Sequence, residues 1–502
     1  MDYLMGIDLG STSIRAVIYD TKGVMISTAS RHSPSKIPDP TKPDEVIWPH
    51  EEIWETTCAV VNAALADMPP GDKVVAVATA CVGMEGLPIA KDGTELYPFI
   101  SWVGPRTLPQ FTKWLEAFGV ERHFQATGNH LYPFNGLFRL LWMRENKPEI
   151  FARIHKWVLY GDYINYRLCG KLAAEVSMAS STAMLDPATQ KWSDEVLQAA
   201  GLSADLMCEI RPSGSLLGTV TEAASAATGL AMGTKVVLGG HDFLCGCLPV
   251  GGARPGTVVN VGGTWDIIQT SLDSYATPKA MAGSGLAIGA HTNGAFSIYG
   301  GTINGAVTDW YFDLFGAAHR LDDENFFAAM SDAIENGDPA LLFLPHIAGS
   351  SCPVVDPTSA GAFVGVRISH GRRDFLGAVA RGLAFQLRDI LAKLEQNDIR
   401  CDTFAIIGGT AKNDAINQAK ADILQRPVTV PNVYEASALG AAMLAGVGAG
   451  IYRNLDHAYA EVKKDGKTFL PRPERSKQLQ KSAQVFSKVY ASLATIHHDL
   501  SG

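Results

Sequence analysis

One strand-turn-strand unit stands at the start of the chain and again half-way along it, and a chain carrying such a repeat is constrained to two similar halves. Tyr3 to Asp8 is apolar, Leu9 to Ser13 is a Gly/Ser/Thr turn, and Ile14 to Tyr19 alternates. A second turn, Thr21-Lys22-Gly23, leads into a third strand from Val24 to Ser27. Thr257 to Val261, the turn Gly262-Gly263-Thr264 and Asp266 to Thr270 repeat the opening pair. The first tip presents backbone N–H groups and hydroxyls at one point, a composition suited to phosphate oxygens. An ordinary polar tip would need only the same Gly and Ser. Asp8 weighs toward phosphate, because an acid beside a phosphate cradle makes sense chiefly as a partner for Mg²⁺.

The 502 residues exceed what one core holds, since single cores stop growing near ~250–300 residues, so two domains are expected. A hydrophobic content of 47% with 19% charged residues describes a folded soluble protein. The formal charge is −9 and no basic run stands out, which argues against nucleic acid or a membrane surface as partner and favours a small molecule. Cys58, Cys81, Cys169, Cys208, Cys245, Cys247, Cys352 and Cys401 are scattered without a framework, as expected of reduced thiols. Cys245 and Cys247 lack a second Cys or His pair at ligand spacing, which weighs against a metal site there. No basic leader opens MDYLMGIDLG, and no uncharged apolar run reaches the about 18 residues a membrane span needs. The protein is therefore expected in the cytoplasm.

Lys235 to Cys247 reads KVVLGGHDFLCGC. Val236 to Leu238 predicts a strand, Gly239-Gly240-His241-Asp242 a tight turn, and Phe243 to Leu248 the start of a helix. Two glycines let the backbone turn sharply and approach a ligand, so the acid after them is presented into open space. Asp242 is thus a candidate general base. The same Asp could instead cap the following helix.

Helical spacing spans Glu51 to Ala66, a buried-type strand Val74 to Ala80, and a short strand Pro98 to Trp102. Residues 108–170 read as mostly helical, with amphipathic segments at Phe138 to Trp142 and Asp162 to Tyr166. The second half predicts strands at Leu341 to Pro345 and Thr403 to Ile407. It predicts helices at Asp374 to Lys393, Asn413 to Leu424, Ala436 to Leu444 and 474–500. The helix from Ala436 is built of small residues and could pack closely on a neighbour. No G-x-x-x-x-G-K-[ST] sequence exists, which excludes a P-loop at the motif level. Gly446 to Gly450 follows a helix and reads as a loop. Ile406 to Lys412 is a strand running into glycines and then a helix, where adenine or a phosphate could lie on backbone. A glycine pair in such a turn is also common with no ligand.

Taken in order, these pieces resemble the FGGY family of carbohydrate kinases, within the group that shares the actin-like (ribonuclease H-like) ATPase fold. The resemblance covers nearly the whole chain. Asp8 to Ser13 resembles the first phosphate motif and Gly262-Gly263-Thr264 the second. Gly408 to Lys412 with Ala421 to Leu424 resembles the adenosine motif, and Glu435 to Ala442 the helix after it. Asp162-Tyr163, Ala179-Ser180, Asp186 and Trp192-Ser193 match the family's central pattern. The resemblance implies an α/β chain of two duplicated mixed-sheet lobes, residues 1–247 for the sugar and 248–502 for the nucleotide, around a central cleft. It implies an ATP- and Mg²⁺-dependent kinase of a small sugar or polyol such as a ketopentose, pentitol or tetritol, with a homodimer among the expectations. Asp242 falls on the base of the family's Gly-Gly-x-Asp turn. Gly10, Ser11, Thr12, Ser13, Gly263, Thr264, Gly305, Gly409, Thr410, Ala411 and Asn413 are the implied nucleotide contacts, and Asp8 with Asp242 the implied metal partners.

The substrate wall departs from the family. Xylulose kinases commonly show Gln-Met-His-Gly where this chain has Gly83-Met84-Glu85-Gly86, and in glycerol kinases an acid at that place binds polyol hydroxyls. Glu85 is therefore a substrate candidate, since a carboxylate can grip a diol with both oxygens. The usual Trp-x-Asp-x-Arg has become Trp102-Val103-Gly104-Pro105-Arg106. Trp102 serves equally as sugar wall or as core, and Arg106 as an ion-pair partner at the cleft edge. His241 stands where many relatives have Gly beside the base, and is a further substrate candidate. Each replacement could also be neutral on a loop. Two rivals share the fold: a chaperone-like or cytoskeletal ATPase, for which the chain has no spare length, and a non-catalytic sugar sensor, which needs a DNA-binding segment before residue 3. If ATP and sugar meet in a cleft, lobe closure is expected.

Overall fold

The computed structural model describes residues 1–39, 42–69, 71–263, 265–277, 281–314, 323–462 and 465–501. Thr264, one of the expected nucleotide contacts, lies outside the described residues.

The first half contributes strands β1 (Asp2–Leu9), β2 (Ser13–Tyr19), β3 (Met25–His32), β4 (Lys73–Cys81), β5 (Leu216–Thr219) and β6 (Lys235–His241). They form one sheet in the order β5-β6-β4-β1-β2-β3, with β1, β4 and β6 mutually parallel. The second half contributes β7 (Gly256–Gly262), β8 (Trp265–Leu272), β9 (Ala287–Ala290), β10 (Phe296–Ile303), β11 (Cys401–Gly408), β12 (Val428–Pro431) and β13 (Gly466–Phe469). Their order is β9-β10-β8-β7-β11-β12-β13, with β7, β11 and β12 parallel. The run β3-β2-β1-β4-β6 and the run β10-β8-β7-β11-β12 carry the same pairing senses, so the repeat read in the sequence is a repeat of sheet topology.

Parallel strands are covered on both faces, and the residue types on the two faces of the first sheet say what covers each. Met5, Ile7 and Leu9 pack with α1 (His50–Ala66) and, further along the chain, α2 (Gly136–Asn146) and α3 (Tyr160–Cys169). Leu4, Ala76, Ala78, Ala80 and Val237 face the other way. They receive Ala438, Ala441, Ala442 and Ala445 of a late helix, Ala436–Ala449, which follows all but the last of the second sheet's strands in sequence yet lies on the first. Small residues on both sides allow close approach: a Cβ on Gly6 would sit 1.9 Å from the Ala438 carbonyl oxygen. The second sheet is backed by the helices Arg372–Glu395 and Asp414–Leu424, whose Leu387, Ile390, Leu391 and Ala421 meet Val258, Ile268, Phe404 and Ile406.

Three local expectations need correction. Gly239 and Gly240 are not a turn but the buried end of β6. They are glycine because a Cβ on Gly239 would lie 1.8 Å from the Thr79 carbonyl oxygen, so the strand can seat beside β4 only without one. Gly446 to Gly450 is not a loop. The Ala436 helix continues to Ala449, with Gly446 and Gly448 yielding space to Tyr452 and Val237, and ends on Gly450 in the left-handed region. Phe138 to Trp142 is not amphipathic either: every residue from Gly136 to Met143 in α2 is buried, Arg139 included.

Candidate active site

The carboxyl ends of parallel strands in an open α/β sheet are where ligands bind. Here β1, β4 and β6 end together: Asp8 stands opposite Ala80, and His241 opposite Cys81. Asp8 and Asp242 therefore flank Cys81 on one edge. Burial, and next the charge of Asp242, push the Asp8 carboxyl up to about 7, with Arg15 acting in the opposite sense. A buried acid whose ionisation a neighbouring carboxylate opposes would welcome a divalent cation between the two. Among the described residues no group of three or more His, Cys, Asp or Glu forms a metal cage. Mg²⁺ keeps waters and is held by one or two carboxylates together with substrate phosphates, and Asp8 and Asp242 could supply those carboxylates.

Asp242 opens the short helix Asp242–Cys247, and its side chain is 29% exposed. Oδ1 accepts the Phe243 N–H at 2.7 Å and lies 2.8 Å from His241 Nδ1. Among the described residues Oδ2 has no hydrogen-bond partner, so one oxygen is anchored and the other is left to accept a proton. His241 is itself held: its N–H donates to Ser177 Oγ at 2.9 Å, and a Cβ on Gly83 would meet its Nε2 at 2.2 Å.

At the tip of the β1–β2 hairpin, Gly10 N–H donates to the Ser13 carbonyl at 3.0 Å. The Gly10 carbonyl accepts from Ser33 Oγ, the Thr12 carbonyl from Ser33 N–H and the Ser11 carbonyl from Lys36 Nζ. With its carbonyls engaged, the tip offers hydroxyls and N–H groups, as a phosphate requires.

Glu85 is buried at 1% exposure and paired with buried Arg139 at 3.1 Å. Burial raises its pKa and Arg139 opposes that rise. Arg139 also donates to the Met84 carbonyl, and Met84 N–H donates to Ser181 Oγ, which fixes Met84 at φ 78°. A non-glycine residue in that region is strained and persists only where its surroundings hold it. Trp102 is 41% exposed and meets Phe134 edge-on. Arg106 is buried against Glu45 at 3.5 Å.

In the second lobe Gly305 N–H donates to the Gly263 carbonyl at 3.2 Å. Gly262 pairs with Gly408 at the ends of β7 and β11. A Cβ on Gly408 would stand 2.3 Å from the Gly262 carbonyl oxygen, so the second hairpin tip rests on the glycine turn that ends β11. Gly263, Gly408 and Gly409 are exposed beside one another, as a backbone surface for a nucleotide requires. Thr410 Oγ1 is buried without a partner among the described residues. Ala411 presents its carbonyl to Asn417. Asn413 caps the helix behind the turn, its Oδ1 accepting from Ala415 and Ile416 N–H.

The sequence reading missed Arg139, and it missed a buried network behind the second tip. Lys420 Nζ lies 2.7 Å from Asn260 Oδ1 and 3.5 Å from Asp266, which also accepts from Asn304. The signals were charges inside apolar runs, Arg139 alone among Leu137 to Met143 and Lys420 with Asp422 among Ala419 to Leu424.

Residues 3–248 match the FGGY family of carbohydrate kinases, N-terminal domain, and residues 258–449 match the C-terminal domain of the same family. The chain belongs to the FGGY family of carbohydrate kinases. It is 26% identical over 484 residues to the L-fuculokinase of Escherichia coli K12, covering 94% of this chain and 98% of that one. It is 26% identical over 498 residues to the xylulose kinase of Bacillus subtilis 168, with 98% and 97% covered. The ligand-bound xylulose kinase from Lactobacillus acidophilus superposes with a TM-score of 0.89 over 100% of both chains at 22% identity. This FGGY kinase is therefore a phosphotransferase that moves a phosphoryl group from ATP to an alcohol of a sugar or polyol. The sugar-independent ATPase and the sensor are not favoured. No helix among the described residues is long and apolar enough to cross a membrane.

Proposed function

We propose that Asp242 is the general base of this sugar kinase and that Glu85, Trp102 and His241 form the wall that receives the sugar. The observation that carries the reading is the Asp242 carboxylate: one oxygen anchored by Phe243 N–H and the other unengaged among the described residues, at the end of β6 beside Asp8. Phosphoryl transfer asks little covalent chemistry of a protein; it asks for a positioned hydroxyl, donors on the phosphate oxygens and a proton acceptor. Asp242 Oδ2 accepts the proton of the sugar hydroxyl as its oxygen bonds to the γ-phosphorus and ADP leaves. Ser11, Thr12 and Ser13 of the first tip, with Gly263, Gly305, Gly409 and Thr410 of the second lobe, hold the triphosphate and adenosine through N–H groups and hydroxyls. Asp8 and Asp242 are the carboxylates that would hold a magnesium ion arriving with ATP, which would supply charge neutralisation to the phosphates.

For the substrate, buried Glu85 supports a neutral, hydroxyl-rich ligand, because a second acid at a carboxylate already balanced by Arg139 would be repelled. Relatives of equal identity are named for L-fuculose and for xylulose. The acceptor class is therefore a small keto sugar or its polyol. The test is sugar-dependent ADP release over ketopentoses, deoxyketoses, pentitols and tetritols, for the parent and for Asp242→Asn. A drop in turnover of about 10²–10⁴-fold is expected, the usual range for a lost general base. An Asn variant as fast as the parent on its best sugar would end the assignment.

A further inference from the structure

Lys36 lies in the segment after β3, clamped to the first hairpin tip by two Ser33 hydrogen bonds of 2.9 and 2.7 Å to Thr12 and Gly10. Its Nζ donates to the Ser11 carbonyl at 3.3 Å. The same ammonium sits 4.3 Å from the centre of the Trp48 ring and 6.0 Å from that of Trp102. Trp48 is held in place: it is fully buried and its Nε1 donates to the Pro34 carbonyl at 2.9 Å. Among the described residues Lys36 makes no ion pair. Glu85 is near enough to act on its charge, but that carboxylate belongs to Arg139.

A half-buried ammonium whose neighbours are one carbonyl and two aromatic faces is short of an anion. It is also fixed at one place, with the phosphate tip on one side and the candidate sugar wall, Trp102 and Glu85, on the other. A phosphoryl group passing from that tip to a sugar on that wall would have to cross beside it. In the transition state negative charge spreads over the three equatorial oxygens of that group, and a lysine or arginine normally meets it. This chain has no P-loop lysine.

We propose that Lys36 is a catalytic residue that contacts the transferring phosphoryl group. The inference rests on the kinase reading with Asp242 as base. The sugar hydroxyl gives its proton to Asp242, its oxygen bonds to the γ-phosphorus, and the bond from that phosphorus to the departing ADP oxygen breaks. Lys36 keeps all its protons throughout and supplies an N–H to an equatorial oxygen.

The test compares the parent with Lys36→Met, Lys36→Gln, Lys36→Arg and Asp242→Asn, using the best acceptor among D-xylulose, L-fuculose and xylitol. Turnover and sugar KM are measured, and calorimetry gives the affinity for ADP alone and for ADP with aluminium fluoride, which mimics the group in transit. Removing the charge should lower kcat on the order of 10²-fold, the loss expected for one transition-state donor. Sugar KM should stay within about threefold, ADP affinity should hold, and aluminium fluoride should no longer tighten it. Lys36→Arg should recover about tenfold of the lost turnover. Lys36→Gln, close in length and uncharged, gives the same reading where the Met variant does not fold. Unchanged kcat, a loss confined to sugar KM, or equal weakening of ADP with and without fluoride would each overturn the assignment. If Asp242→Asn stays active, the base reading fails and Lys36 is judged on its own data. A fully active Lys36→Met beside an inactive Asp242→Asn removes only the present inference.

Discussion

Replacing Asp8 by Asn should make the ligand-free protein more stable while abolishing turnover. In the unfolded chain this carboxyl ionises near its ordinary value of 3.8; in the folded protein it does so at about 7, because burial and the neighbouring Asp242 disfavour its charge. Between those values folding takes up a proton, so stability falls as pH rises from about 4 to 7, and the full penalty is present above 7. A shift of about 3 units corresponds to about 4 kcal/mol. Asp8 is only partly buried, and solvent screening roughly halves that, to about 2 kcal/mol. Asn cannot ionise, so its advantage should grow from about 1 kcal/mol at pH 5 to about 2 kcal/mol at pH 8. For a lobe of this size that is about 2–4 °C and about 4–8 °C in melting temperature. Calorimetry on EDTA-treated, nucleotide-free protein at the two pH values measures it, reading whichever transition the substitution moves, since two lobes need not melt together. Adding Mg²⁺ and ATP should raise the parent's transition more than the variant's. Parallel pH curves for the two proteins, or a less stable variant at pH 8, would refute the electrostatic account of this edge.

Arg139→Met strands Glu85 as a buried unpaired acid and should destabilise the protein by about 3–5 kcal/mol, with Glu85→Gln on the same chain recovering part of it in a denaturant titration. Glu85→Gln alone should raise the sugar KM at least about tenfold with a smaller change in kcat, as removal of a charge-assisted contact does, and steady-state kinetics on the best acceptor checks this. Gly440→Ala puts a Cβ 1.9 Å from the Cys245 carbonyl oxygen and should lower the melting temperature and, through the Asp242 helix, the turnover. ATP and sugar together should compact the molecule in small-angle scattering, and an unchanged radius of gyration with both bound would count against lobe closure.

The two hairpins and most strands and helices were legible because their chemistry is local. Glycine, serine and threonine at the tips, and apolar runs on either side, do not depend on what lies elsewhere. Asp8 and Asp242 could be picked out for the same reason. What escaped depends on distant partners. A glycine that makes a turn and a glycine that yields space to a neighbouring carbonyl look alike in sequence, and Gly239 is of the second kind. Arg139 read as part of an amphipathic segment because its partner, Glu85, stands 54 positions earlier. Lys36 carried no signal at all, since only the fold brings it between Ser11, Trp48 and Trp102.

The alanine-rich helix Ala436–Ala449 fills one face of a sheet whose last strand, Lys235–His241, is made some two hundred residues before it. At about 5–20 residues per second, a ribosome leaves that face bare for on the order of 10–40 seconds. The first half of the enzyme therefore cannot be finished as it emerges, and must wait, shielded by chaperones or by its own unfinished state, for nearly the whole polypeptide. Truncating this gene's product before residue 436 should yield insoluble protein, however intact the first half looks on paper.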